Sequence, residues 1–364
     1  MSLGLLTLEH LRCIHRAELD LHPGRNLIVG ANGSGKTSLL EAIFLLGRGR
    51  SFRTRNSERL ISHGQSRLVV FGRTAPADEP GIPVSLGVQV TRGEATIAKI
   101  QGEFTRTLAQ LSTALPVQVI DPGVHKLIED SAYRRRRWMD WATFHVEHGF
   151  VEVWATYTRA LKQRNAVLKQ LQVADIEQDS QLEAWDLELA QLGEKLAQSR
   201  RAMLEALKSH WSETVEALAG LNLDLSYFQG WARDVPLLDA LRHGRERDIS
   251  RGSTHAGPHR GDVVLKINGK PAREVLSRGQ QKLVAVSMIL AQLRLLAGIL
   301  PAPPTLLLDD PAAELDPDRL SRFIEQVAPL NCQLVLTSLT AGPQPFGEAD
   351  RMFHVEHGRV TERH

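Results

Sequence analysis

Cysteine is nearly absent: the 364 residues hold Cys13 and Cys332 and no other. Two thiols make neither a disulfide framework nor a metal-binding set, which excludes a disulfide-stapled secreted fold and a zinc module. Both fall in apolar, strand-like stretches and are expected to be buried free thiols in a reducing cytoplasm. Apolar runs of membrane-spanning length are also missing, so no membrane partner is expected. The opening MSLGLLTLEHLRCIH has no basic segment and no small-residue cleavage site, and no secretory signal is expected. Nor is there an excess of charge of one sign. Forty-four Lys and Arg against 42 Asp and Glu leave a net charge of +2. Any case for nucleic acid must therefore come from local clusters. What remains, 42% hydrophobic and 24% charged, is ordinary globular composition.

The most informative stretch is Asn26 to Leu46. Leu27, Ile28 and Val29 read as a short buried strand, and Leu39, Leu40, Ile43 and Phe44 as a helix. Between them, Gly30-Ala31-Asn32-Gly33-Ser34-Gly35-Lys36-Thr37 fits G-x-x-x-x-G-K-[ST]. Glycines let backbone N–H groups curl around a phosphate, and the helix N-terminus adds positive potential. Lys36 is expected to reach the β- and γ-phosphates of ATP, and the Thr37 hydroxyl to bind Mg²⁺. The competing reading is a glycine-rich turn with a chance lysine.

Around this loop the chain reads as mixed α and β. Residues 3–21 form two paired strands; 66–73, 83–91 and 95–101 alternate like an antiparallel sheet. The segment after the first helix, Gly47 to Arg55, sets four arginines around Phe52. It suits either a phosphate-touching loop, with Arg50, Arg53 and Arg55 on DNA, or a solvated basic surface. Val117 to Ile120 is a buried strand. Its Gln118 is a candidate for Mg²⁺ or the attacking water, or else a polar strand-edge residue. Arg134 to Arg137 open a helical region; they spread around a helix, so Arg135 is a candidate DNA contact beside structural neighbours. Leu182, Trp185, Leu189, Leu192, Leu196 and Met203 keep a coiled-coil-like spacing, which predicts an antiparallel pair of helices, 151–172 and 182–218, turning at 174–180. Residues 242–262, basic and rich in Gly and His, read as a linker or a functional loop.

Three groups near the C-terminus complete the pattern. Leu276-Ser277-Arg278-Gly279-Gln280-Gln281 precedes a helix, where a serine hydroxyl and glycine N–H groups make an anion site. Thr305 to Leu308 is an apolar strand ending in Asp309 and Asp310. At the carboxyl edge of a strand Asp309 is placed for Mg²⁺, and Asp310 to orient or deprotonate the attacking water. Ala313-Glu314-Leu315-Asp316 follows.

The order of GANGSGKT, helical insert, LSRGQ, LLLDD and ELD resembles the SMC-like branch of the ABC ATPases. Chain length, the short insert and the segments GRGRSFRT, YRRRRWMDW, LKQRNAVLKQ and THAGPHR make it similar to the RecF family of bacterial recombination mediators. That resemblance implies an α/β, ABC-type (P-loop) ATPase head with an inserted, mostly helical second domain. The expected boundaries are 1–125, 126–250 and 251–364. It implies a cytoplasmic, weakly hydrolysing DNA-dependent ATPase that forms an ATP-dependent homodimer on duplex DNA and single-strand gaps. It also implies RecO and RecR as partners, with help to RecA loading and the SOS response. In such a dimer Ser277, Gly279, Gln280 and Asp316 would face the nucleotide held by Gly30 to Thr37 of the second copy. Three features depart from the wider ABC pattern. Asp310 stands for the catalytic glutamate, Thr337-Ser338 for the switch histidine, and no Cys-x-x-Cys hook is present. Slow hydrolysis is expected. The competing class is a transporter's ATPase subunit, against which the helical insert and basic loops argue.

One hexapeptide occurs twice, Phe144 to Gly149 and Phe353 to Gly358. A His-x-x-His metal site is one reading, but the contexts differ, one helical and one a terminal strand. The other is that TTC-CAC-GTG-GAA codons make a palindrome in the gene, which reading the coding DNA decides.

Overall fold

The computed structural model describes residues 2–75, 82–105, 107–172, 179–314, 316–342 and 345–363. The chain opens with an antiparallel hairpin, β1 (Ser2–Leu11) and β2 (Ile14–Asp20). Leu11 and Ile14 turn inward and Arg12 and Cys13 form the turn, so Cys13 is exposed rather than a buried strand thiol. Cys332 is half-buried, and desolvation pushes its thiol up to about 12. Next come β3 (Arg25–Val29) and α1 (Lys36–Arg48), then β4 (Arg67–Ala75), β5 (Ser85–Thr91), β6 (Ile97–Ile100), β7 (Glu103–Phe104) and β8 (Val117–Ile120).

The middle of the chain is mainly helical. It holds α2 (Ala132–Val146), α3 (Phe150–Leu171), α4 (Asp179–Ala219), β9 (Asp224–Phe228), α5 (Leu237–His243), α6 (Arg245–Arg251), β10 (Asp262–Ile267) and β11 (Lys270–Pro271). The last part contains α7 (Arg278–Ala297), β12 (Thr305–Leu308), α8 (Pro317–Val327), β13 (Leu334–Ser338), β14 (Arg351–Glu356) and β15 (Arg359–Arg363).

Two compact units result: residues 1–124 with 286–364, and residues 125–285. In the first unit an antiparallel sheet runs β2-β1-β4-β5-β6-β7. A second sheet runs β15-β14-β3-β13-β12-β8, parallel from β14 to β8. Parallel strands covered on both faces need unbroken apolar runs, which Leu306-Leu307-Leu308 and Leu334-Val335-Leu336 supply. Helix α1 is apolar nearly all round because it is buried nearly all round. Its Leu39, Leu40 and Ile43 share one core with Leu6 and Leu8 of the antiparallel sheet and Leu307 and Val335 of the parallel one. Sequence neighbours are not sheet neighbours here: β3 pairs with β13 and β14, some three hundred residues away along the chain. The carboxyl ends of β3, β12 and β13 therefore open side by side.

In the second unit α3 and α4 pack together, with Leu182, Leu189 and Leu196 buried between them and Trp185 and Leu192 partly so; Met203 is buried too. Most of the predicted turn, 174–178, lies outside the described residues. Residues 242–262 are not a linker, and only 252–257 among them run as a loop between ordered elements. They fold into α6 and a short 3-10 turn at Pro258–Arg260, because Asp248 and Thr254 are drawn onto the buried Arg164 of α3. The two hexapeptide copies differ in structure: the first ends α2, and the second ends β14 and turns at His357 and Gly358.

Candidate nucleotide site

Gly30 to Thr37 link β3 to α1, and their glycines answer specific constraints. Gly33 and Gly35 have φ of 78° and 121°, in the left-handed region that side chains avoid. At Gly30 a Cβ would come within 2.3 Å of the Val355 carbonyl oxygen. The loop is buttressed from behind by the β14–β15 turn, where the Gly358 amide donates to the Ser34 carbonyl at 3.0 Å. A Cβ on Gly358 would reach the Cys13 carbonyl oxygen at 2.1 Å, so that turn must be glycine. Nothing in the sequence pattern marked Gly358 as part of this site.

Lys36 is buried, and its Nζ donates to the carbonyls of Gly30 at 2.7 Å and Ala31 at 3.1 Å. Among the described residues it has no carboxylate partner. The Ser34 hydroxyl is buried with no hydrogen-bond partner there. Helix α1 begins with no side-chain cap and no acidic residue in its first turn. Orphan N–H groups at a helix start, a buried ammonium and an unsatisfied hydroxyl are the donor set of a polyphosphate site. The residues present therefore fit ATP.

Across the sheet, Thr37 Oγ1 donates to Asp309, with both carboxylate oxygens at 3.0 and 3.1 Å, although the two residues are 272 apart in sequence. A hydroxyl and a carboxylate in contact at the phosphate edge are oxygen donors of the type Mg²⁺ takes. Thr337 of β13 completes the group. Its hydroxyl donates to Asp309 Oδ1 at 3.0 Å and accepts the Asp310 amide at 2.8 Å. Gln118 does not join them. Its buried amide donates to Gln292 of α7 at 3.1 Å, which is the polar edge-strand reading rather than the Mg²⁺ contact.

The remaining predicted residues are placed as follows. Ser277 and Gln280 form a capping box at the start of α7. Gln280 N donates to Ser277 Oγ at 3.3 Å, and Ser277 N to Gln280 Oε1 at 3.0 Å. Ser277 and Gly279 are exposed. Asp316 caps α8, accepting the Arg319 amide at 3.0 Å, while Leu315 lies outside the described residues. In the basic loop Arg53 and Arg55 are exposed and Arg50 is half-buried. Arg53 also lies 3.6 Å from Glu41, a wholly buried carboxylate on α1 that Arg12 and Ser51 hydrogen-bond as well. A single acid in the apolar α1 was the one available sign of this tie. Arg135 is a correction. It is buried, bidentate to Asp262 at 2.9 Å, and donates to the carbonyls of Leu127, Ile128 and Asp130, so no nitrogen is left to meet DNA.

Similarity to known proteins shows the family and the fold. Residues 2–362 match the family described as RecF/RecN/SMC N terminal domain. The chain is 38% identical to the DNA replication and repair protein RecF of Vibrio atlanticus, over all of both chains. It is 40% identical to the protein of that name from Stutzerimonas stutzeri, covering 100% of this chain and 98% of the other. Among solved structures it is similar to the recombination mediator protein RecF with ATP in the RecFOR pathway, at a TM-score of 0.90 and 26% identity, covering 100% and 98% of the two chains. An Smc head domain from Pyrococcus furiosus, 17% identical with a TM-score of 0.58, shares the fold.

Proposed function

This chain belongs to the RecF branch of the RecF/RecN/SMC N-terminal domain family, a branch of DNA replication and repair proteins, and from that premise we propose that it is an ATP-gated, DNA-binding recombination mediator. The observation that carries the reading is the meeting of Thr37 with Asp309 beside a buried Lys36 that has no carboxylate partner among the described residues. Gly30 to Thr37 would cradle the triphosphate, Lys36 leaving its two loop carbonyls for the phosphates. Thr37 and Asp309 would hold Mg²⁺, which when bound offsets phosphate charge. Asp310 would orient or deprotonate the attacking water. An acid one methylene shorter than glutamate reaches less far, so turnover is slow and serves to reset binding.

Ser277 and Gly279, exposed at a helix N-terminus, suit a second copy's γ-phosphate in an ATP-dependent homodimer. The exposed Arg53 and Arg55, with Arg50, are the candidate DNA contacts. Action with RecO and RecR at single-strand gaps, RecA loading, support of the SOS response and a cytoplasmic location follow from the family premise. Among the described residues no helix is long and apolar enough to cross a membrane.

Sedimentation with ATP, ADP or no nucleotide, with and without DNA, tests the reading. Ser277→Arg should leave ATP binding by the single chain intact and abolish ATP-dependent dimerisation and DNA retention together. Mixing Ser277→Arg with Lys36→Ala chains should return part of the association, since one intact loop then meets one intact signature. Normal dimerisation of Ser277→Arg alone would sink the trans-acting arrangement.

A further inference from the structure

At the end of β13, Thr337 sits where two strands of the nucleotide site are joined by a single hydroxyl. Leu336 pairs with Leu308 on one side, and Thr337 and Ser338 pair with Ile28 and Val29 on the other. Thr337 thus stands between the strand that leads into the phosphate loop and the strand that ends in Asp309. It is 1% exposed. A β-branched side chain on a strand has a stiff χ1, so its hydroxyl is held in place before any ligand arrives. That hydroxyl donates its one proton to Asp309 Oδ1 at 3.0 Å and accepts the Asp310 amide at 2.8 Å. Asp310 has φ of 52°, a left-handed backbone that is uncommon for non-glycine residues even though Asp tolerates it better than most. The Thr337 hydroxyl, bonded to the Asp310 amide, helps to hold it.

We infer that Thr337 is a positioning residue for the nucleotide site, setting the two adjacent carboxylates by different means. It fixes the Asp309 carboxylate through a side-chain bond to Oδ1, holding both carboxylate oxygens within reach of the Thr37 hydroxyl. It fixes Asp310 through the main chain, pinning the amide so that the carboxylate leaves the strand in one direction. The inference rests on the ATPase reading of the site and deepens it: the end of β13 serves the metal-binding and water-facing acids of its own chain. Buried away from solvent, Thr337 is not itself a contact for phosphate.

The test compares Thr337→Val, which removes the hydroxyl and keeps the shape, with Thr337→Ser, which keeps it. Nucleotide binding is measured in EDTA and across a Mg²⁺ titration, with turnover and thermal unfolding of the nucleotide-free chain alongside. Thr337→Val should raise the Mg²⁺ concentration for half-maximal ATP binding about tenfold, the worth of one lost charge-assisted hydrogen bond. It should slow turnover by a similar factor or more and leave binding in EDTA within about twofold. Thr337→Ser should restore both. An unchanged Mg²⁺ midpoint in the Val variant overturns the inference. So does an equal loss with and without Mg²⁺ accompanied by a lower melting temperature, which would make Thr337 a packing residue. Absence of Mg²⁺-linked ATP binding in the unmodified protein would instead remove the ATPase reading beneath it.

Discussion

Two parts of this molecule bury cations, and they do so in opposite ways. In the insert, Arg164 faces Asp186 and Asp248, and Arg200 holds Asp140 in a fork at 2.7 and 3.0 Å. Arg135 does the same with Asp262. In the head, Lys36 is buried against two carbonyl oxygens of its own loop, beside a hydroxyl with no partner among the described residues. A buried charge costs several kcal/mol unless it is paired. The insert meets that cost within the fold, with carboxylates from other elements; the head leaves it for a ligand to complete. Burial of a basic residue is therefore no sign of function. The partner decides.

The comparison can be broken most severely with Arg164→Met and Lys36→Ala. Arg164→Met removes the buried cation between Asp186 and Asp248, leaving them Arg245 and His255, and should cost the fold about 3–5 kcal/mol in urea unfolding. Lys36→Ala should weaken ATP binding on the order of 100-fold or more, losing several charge-assisted bonds, while folding stability moves by about 1 kcal/mol or less. If Lys36→Ala unfolds the chain as Arg164→Met does, the distinction is void. A smaller contrast concerns the arginines. Arg135→Ala should destabilise by about 2–4 kcal/mol yet keep the salt dependence of DNA binding. Replacing Arg50, Arg53 and Arg55 together with Ala should flatten that dependence and cost about 1 kcal/mol or less of stability. The reverse pattern would mean the basic loop is only a solvated surface.

The smallest effect is a pH dependence confined to the insert. Tyr157 Oη and His259 Nδ1 lie 2.7 Å apart. Desolvation lowers the His259 pKa from 6.5 to about 4. The unfolded chain then takes up this proton first as pH falls, so stability should drop between pH 6.5 and 4. His259→Gln should lose about 1–3 kcal/mol less than the unmodified protein across that window, read by thermal unfolding. Parallel pH profiles would show that the pair carries no such linkage.

How far each part was legible follows from how local its cause is. The phosphate loop was readable because eight consecutive residues meet one ligand, and the helical seam because its period repeats along one chain segment. Asp309 was readable as the end of an apolar run. Arg135 was misjudged because the four arginines are alike in sequence, and only Asp262, 127 residues away, separates them. Residues 242–262 had the composition of a loop, and the buried Arg164 that orders them lies on another helix. Gln118 was left between two roles that its strand could not resolve. Its tie to Gln292 spans 174 residues.

By itself the sequence determined the elements, the buried strands, the phosphate loop with its flanking strand and helix, and the carboxylates that could serve it. Each depends on the chemistry of neighbouring residues and on periods of two or 3.6. Tertiary structure alone decided the pairings: which arginine is bound to a carboxylate, that Gly358 supports the loop from the far end of the chain, and that the Thr337 hydroxyl joins Asp309 to the backbone of Asp310. Those outcomes rest on hydrogen bonds a few ångströms long between residues far apart in sequence. Only the folded sheet brings them within reach.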